Sequence, residues 1–205
     1  DTLQRIAEGA AMMTDTTVTR RIIGAAWPRH FNRPIALAMD ENIKKIGLPT
    51  WSEDDQRFAK ALQTLMGADK PIGLATNLSG IGEPLPSPVS GGSDDIGDIS
   101  WNVPTVTLRY PANVGRLQGH HWSSAMAMAT PIAHKGAVAG AKVVATTMLD
   151  LIQNRSLVDD ALNYFEDVQT ADVQYVPFIG PDDAPAIEKN AEIMALFKDR
   201  LEELY

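Results

Sequence analysis

The densest run of reactive side chains is Gly92-Ser93-Asp94-Asp95-Ile96-Gly97-Asp98-Ile99-Ser100-Trp101, which places three carboxylates and two hydroxyls within nine residues, with glycines at 92 and 97. Oxygen ligands at this density could bind a hard cation or orient a metal-bound histidine. The same residue types satisfy local backbone donors in turns, so an acidic turn is the competing reading. The spacing does not fit an EF-hand loop, and the glycines lack the Gly-Lys-Ser/Thr ending of a phosphate cradle. The second candidate is Gly119-His120-His121-Trp122-Ser123. Neighbouring side chains on an extended segment diverge, so one imidazole can enter a site while the other packs or faces solvent. His30 and His134 are the other two histidines; the first sits in a turn beside Pro28 and Arg29 and is expected to be exposed, the second to cap or pack before a helix. Ser93 or Ser123 could be combined with these histidines into a nucleophilic triad, but no Gly-x-Ser-x-Gly elbow supports one. Met12, Met13, Met126 and Met128 read as packing residues.

These groups must be held by elements that the sequence patterns announce. Leu3, Ile6, Ala7, Ala10 and Ala11 recur at helical spacing, and the β-branched run over residues 16–23 reads as a strand. Asn32 can cap a helix with Pro34 in its first turn, a stripe of Ile35, Met39, Ile43 and Ile46, and an end at Gly47. Ser52 with Asp55 forms a capping-box pattern ahead of Phe58, Leu62, Leu65 and Met66. Between Gly67 and Gly92, with Pro71, Pro84, Pro86 and Pro88, no period is sustained, which makes a long loop. Ile96, Ile99 and Trp101 are expected to be extended. The alternation of Val106, Leu108 and Tyr110 with Thr107 and Arg109 predicts a strand. Residues 137–152 carry small and apolar side chains on nearly every side and predict a largely buried helix. Ser156, with Asp159, should cap another, and Ile193, Phe197, Leu201 and Leu204 mark a terminal amphipathic helix. Alternating strands and helices favour an α/β architecture.

The 205-residue chain is long enough for one large domain or two small ones, and 44% hydrophobic residues exclude wholesale disorder. A net charge of −8, from 18 Lys and Arg against 26 Asp and Glu, disfavours nucleic acid as a partner. The absence of cysteine excludes thiol catalysis, thiolate metal sites and disulfides and makes the cytoplasm the default location. No run approaches the roughly 20 apolar residues of a membrane span, so no membrane partner is expected.

Several ordered motifs carry a resemblance. They are the run over 92–101, Val-Pro-Thr over 103–105, Gly-His-His-Trp over 119–122, Ile-Ala-His-Lys-Gly over 132–136 and Ala-Lys-Val-Val-Ala over 141–145. Together they resemble the C-terminal part of the dinuclear metal amidohydrolases of the aminoacylase and carboxypeptidase superfamily. Upstream, Ile-Ala-Glu-Gly-Ala-Ala-Met-Met-Thr over 6–14, Thr-Thr-Val over 16–18 and Asn-Arg-Pro over 32–34 are similar to the end of that family's inserted lid.

The resemblance implies a mixed-sheet catalytic domain over 49–205, following residues 1–48 as the remnant of an α/β lid through which subunits dimerise or pair with a related subunit. It implies hydrolysis of an N-acyl amino acid amide, a small-molecule substrate, by water held between two divalent metal ions, Zn or Mn. By position His120 matches the family's last metal ligand, while His121 stands where relatives usually have Ser. Asp95 matches an acidic position in the preceding loop and takes a supporting catalytic role, and Asn32 falls near lid residues that reach the substrate. The family's other ligands and its paired glutamates lie upstream of the matched region, and Asp1 is not an initiator. The chain is therefore expected to be a C-terminal fragment, inactive alone, whose partner is the upstream half of the same protein. The competing expectation is a catalytically inactive binding or assembly module of the same fold.

Overall fold

A computed structural model describes residues 2–82 and 94–204. Gly92, Ser93, Pro84, Pro86 and Pro88 lie outside the described residues. The chain divides into two compact units, one made of residues 1–27 with 176–205 and the other of residues 28–175. The boundary expected at 48/49 falls inside the second unit.

The first unit contains α1 (Thr2–Met13), a 3-10 turn (Ile187–Asn190) and α8 (Ala191–Leu204). Trp27 ties its two segments together: its ring stacks on Phe178 at 4.9 Å and its indole N–H donates to the Val176 carbonyl at 2.8 Å. Arg21 pairs with Glu188 between the same segments.

The second unit carries α2 (Arg33–Ile46), α3 (Glu53–Leu65), α4 (Ile96–Ser100), α5 (Trp122–Met128), α6 (Pro131–Gln153) and α7 (Arg155–Tyr164), the last running into a π-helical turn (Phe165–Gln169). Local chemistry explains the first two. The Asn32 side chain accepts from Ile35 N, Pro34 occupies the first turn where its missing N–H costs nothing, and Gly47 ends α2 at φ 71°. Ser52 and Asp55 form a reciprocal capping box at the start of α3. The core gathers Ala59 and Leu62 of α3, Leu74, Val114, Ala127 of α5 and Ile132 of α6, with Trp51, Phe58, Met66 and Leu117 packed around them.

Two glutamines one face apart on α3 do what a neighbouring strand would do. Gln56 donates to the Leu74 carbonyl and accepts from Leu74 N, while Gln63, 1% exposed, accepts from Gly73 N at 2.8 Å and donates to the carbonyls of Gly73 and Gly115. Gly73 is required there, because φ is 74° and a Cβ would stand 2.3 Å from Gln56 Oε1.

The expected α/β mixed sheet is not formed: among the described residues there is no strand, and every regular element is helical. Alternation marks a segment that could pair, but a strand exists only when a neighbour supplies the ladder. Residues 106–110 instead lie irregularly against α6, with Tyr110 and Leu108 over Gly140 and the Pro111 carbonyl where a Cβ on Gly136 would stand, 2.1 Å away. Residues 16–23 are likewise irregular. The extended piece expected at Ile96, Ile99 and Trp101 is largely α4; Ile96 and Ile99 are three apart, a spacing that suits one helical face as well as a strand.

Two further expectations are corrected. The cap of α7 is Asn154, whose side chain accepts from Leu157 N, and Ser156 donates to that same Asn154 oxygen at 2.8 Å. In α6 only Ile132, Gly136, Gly140, Val143 and Thr147 are buried, all on one face, while Val138, Met148, Leu149 and Ile152 are more than half exposed. Asn42 of α2 donates to Thr147 and to Asp150 at 2.6 Å, which fixes where α2 crosses this buried face.

Candidate functional site

The histidine pair lies on the loop that enters α5. Asn113 donates to the Ser124 carbonyl at 3.1 Å and the Ser124 hydroxyl donates to the Gln118 carbonyl at 3.0 Å, so the loop is pinned to the helix at two points ahead of the histidines. His121 is the N-cap of α5: its Nδ1 accepts from Ser123 N at 3.3 Å and lies 2.9 Å from Ser123 Oγ. Ser123 is fully buried, so its pairing with the His121 ring is a cap, without a substrate-facing hydroxyl. His120 is the opposite case. It is exposed, its φ is 55°, and among the described residues its ring makes no hydrogen bond. A left-handed residue other than Gly costs about 1–3 kcal/mol and persists where the surroundings over-determine it, often at working sites. His134 is exposed in the second turn of α6.

His30 is not exposed as expected. Its ring is packed against Trp101, centroids 4.3 Å apart, and against Phe165 at 6.4 Å, and its Nε2 is buried with no hydrogen-bond partner among the described residues. Its Nδ1 meets the Gln169 side-chain amide, and its backbone N–H donates to Ser100 Oγ at 3.3 Å. Burial pushes the imidazole below the ordinary histidine range. Gln169 connects onward to Asn32, which is 0% exposed: Asn32 Nδ2 donates to Gln169 Oε1 at 2.9 Å and to the Ala161 carbonyl at 2.8 Å. Asn32 N donates to the Thr105 carbonyl at 2.8 Å. The Asn32 amide is thus committed to the protein on both ends. Beside this cluster runs a groove of about 430 Å³ lined by Trp101, Phe165, Thr170, Asp172 and Tyr175 among others.

The described acidic residues of the 92–101 run diverge. Asp94 pairs with Arg29 at 3.2 Å and accepts from Ile96 N, Asp98 accepts from the Tyr175 hydroxyl at 2.9 Å, and Asp95 is exposed at the start of α4 without a capping bond. The hydrogen bond from Tyr175 to Asp98 holds the phenol proton and raises the Tyr175 pKa.

Each divalent cation needs about three or four protein ligands. Among the described residues no three of His, Asp and Glu converge, so these residues do not by themselves fit a two-metal centre. No helix among them is long and apolar enough to cross a membrane.

Sequence reading passed over Gln169, Gln63 and Ser124. Gln56 and Gln63, seven apart beside the apolar Ala59 and Leu62, carried a usable signal, since polar residues on a core-facing stripe need partners. Gln169 carried none, because its partners are more than a hundred residues away.

The chain is related in sequence to a p-aminobenzoyl-glutamate hydrolase, the B subunit from Escherichia coli (strain K12), with 27% identity over 199 residues, covering 86% of this chain. It spans 41% of the length of that curated relative. No family model and no solved structure matches it.

Proposed function

We propose that this chain is the C-terminal part of an amidohydrolase that cleaves an N-acyl amino acid amide such as p-aminobenzoyl-glutamate. The observation that carries the reading is the contrast within one dipeptide: His121 is spent on capping α5, while His120 is held outward in a costly backbone conformation with its ring uncommitted. A histidine presented in this way serves something outside the described residues. The relationship to a p-aminobenzoyl-glutamate hydrolase subunit supports a hydrolytic chemistry, and an imidazole held this way suits a metal ligand in it. In this reading the two divalent ions, Zn or Mn, take ligands from beyond the described residues in addition to His120, and the upstream half of the protein supplies the general base. Asp95, exposed beside that loop of carboxylates, and Asn32, whose burial leaves it a scaffold role, contribute indirectly. The protein acts in the cytoplasm, and pairs as a homodimer or with a related subunit.

The test is glutamate release from p-aminobenzoyl-glutamate, followed by amino-acid analysis, using protein expressed from the intact locus with whatever coding sequence precedes Asp1. That protein should release glutamate, whereas the 205-residue chain alone should not, and should retain fewer than two ions per chain after dialysis and elemental analysis. Failure of metal-loaded protein from the intact locus to release glutamate from this or other N-acyl amino acids would overturn the proposal and favour an inactive assembly module.

A further inference from the structure

The relay Asn32–Gln169–His30 has its protons assigned by its own geometry. Ala161 O can only accept, so the Asn32 atom 2.8 Å from it is the amide nitrogen, and Asn32 Oδ1 is left to accept from Ile35 N. That nitrogen also meets Gln169, whose facing atom must then be Oε1. The Gln169 nitrogen is consequently turned to His30 and donates to Nδ1, which must be unprotonated. The neutral imidazole carries its proton on Nε2, the buried atom that has no partner among the described residues.

No flip accommodates a second proton. On a charged imidazole Nδ1–H would face the Gln169 NH₂, donor against donor. Turning the Gln169 amide over would oppose its nitrogen to Asn32 Nδ2, and turning Asn32 over would oppose its oxygen to Ala161 O and its nitrogen to Ile35 N. We propose that His30 is a proton-operated latch: neutral, it holds the Phe165–Gln169 turn and the groove residues that follow against the start of α2, and taking up one proton from solvent releases them.

The charged groups on the elements around His30 do not offset this. Arg29 pairs with Asp94, Asp98 accepts from Tyr175, Asp95, Glu166, Asp167 and Asp172 are exposed, and Arg33 is half-buried in the first turn of α2. Burial is what moves the His30 equilibrium, and it moves it toward the neutral form. A histidine whose folded pKa lies below 6.5 binds its proton more readily once released. The opening equilibrium therefore rises as pH falls from 6.5 toward the folded pKa and levels off below it.

Imidazole ¹⁵N NMR on the full chain tests this, with His30→Phe assigning the resonances. The expected result is an Nε2–H tautomer for His30 with a midpoint below 6.5. Gln169→Glu should invert the preference, because a carboxylate can accept from both Asn32 Nδ2 and His30 Nδ1–H, and should lift the midpoint above 6.5. Hydrogen exchange of peptides covering 165–175, corrected for intrinsic rates, should show opening that increases from pH 7.5 to pH 5 in the parent and not in His30→Phe. An Nδ1–H tautomer, a midpoint at or above 6.5 in the parent, or equal corrected protection at both pH values overturns the latch, and the parent measurements alone suffice should Gln169→Glu fail to fold.

Discussion

His30 and His120 belong to the same compact unit and are treated in opposite ways. The first is closed in by Trp101 and Phe165 and reached through the Asn32 and Gln169 amides, while the second stands exposed at φ 55° on a loop pinned to α5 ahead of it. Imidazole chemistry is the same in both, so the difference lies in what surrounds it. A histidine whose nitrogen is consumed by neighbouring amides stabilises the fold and reports on it. One whose neighbour, His121, takes over the capping duty is left available, and the fold bears the backbone cost of presenting it.

Substitutions can break or sharpen this contrast, and the largest effect should come from the held side. Asn32→Ala removes the cap of α2 and strands the Ala161 carbonyl and the Gln169 amide, so it should cost about 3 kcal/mol. Urea unfolding would register this as a lower midpoint. An unchanged midpoint would mean that the buried relay is ornamental.

Asp55 extends the comparison to the ion pair between α3 and α6. It is 6% exposed, closes the Ser52 box and pairs with Lys135, and Asp55→Ala should cost about 2 kcal/mol. The Lys135 ammonium, with help from Ser52, holds this carboxyl below its ordinary value of 3.8. Its folded pKa being depressed, the stability it contributes is complete above pH 3.8 and is lost as pH falls through the lower folded pKa. The acid limb of a pH series of melts should therefore flatten in Asp55→Ala.

Smaller effects separate the two adjacent histidines. His121→Ala removes an N-cap and should cost about 1 kcal/mol. His120→Gly should instead stabilise by about 0.5 kcal/mol, because relief of the left-handed backbone slightly exceeds the added freedom of the unfolded chain. Calorimetry of both variants reads the opposite signs directly.

How much of this was legible depended on how local the cause was. The ends of α2 and α3 follow from Asn32, Gly47, Ser52 and Asp55, residues that act on backbone groups within one turn, and the sequence predicts both helices correctly. The alternation at 106–110 is real but silent about whether anything pairs with it, and Tyr110 and Leu108 settle on Gly140 of α6 instead. With both faces of α6 apolar, its pattern could not say how many sides are covered, and one side is. Burial of His30 required Gln169, 139 residues away, and no local pattern carries that information. The divergence of His120 and His121 was readable from their adjacency, but which one is committed required seeing Ser123 N on the His121 ring.

In the proposed function His120 serves catalysis, while His121 caps α5. The most direct measurement compares turnover of p-aminobenzoyl-glutamate by His120→Ala and His121→Ala in protein expressed from the intact locus, with the folded fraction of each fixed by calorimetry. His120→Ala should lose roughly two to four orders of magnitude of turnover at unimpaired stability, and His121→Ala no more than its unfolded fraction explains. Full turnover in folded His120→Ala together with abolished turnover in folded His121→Ala would contradict it.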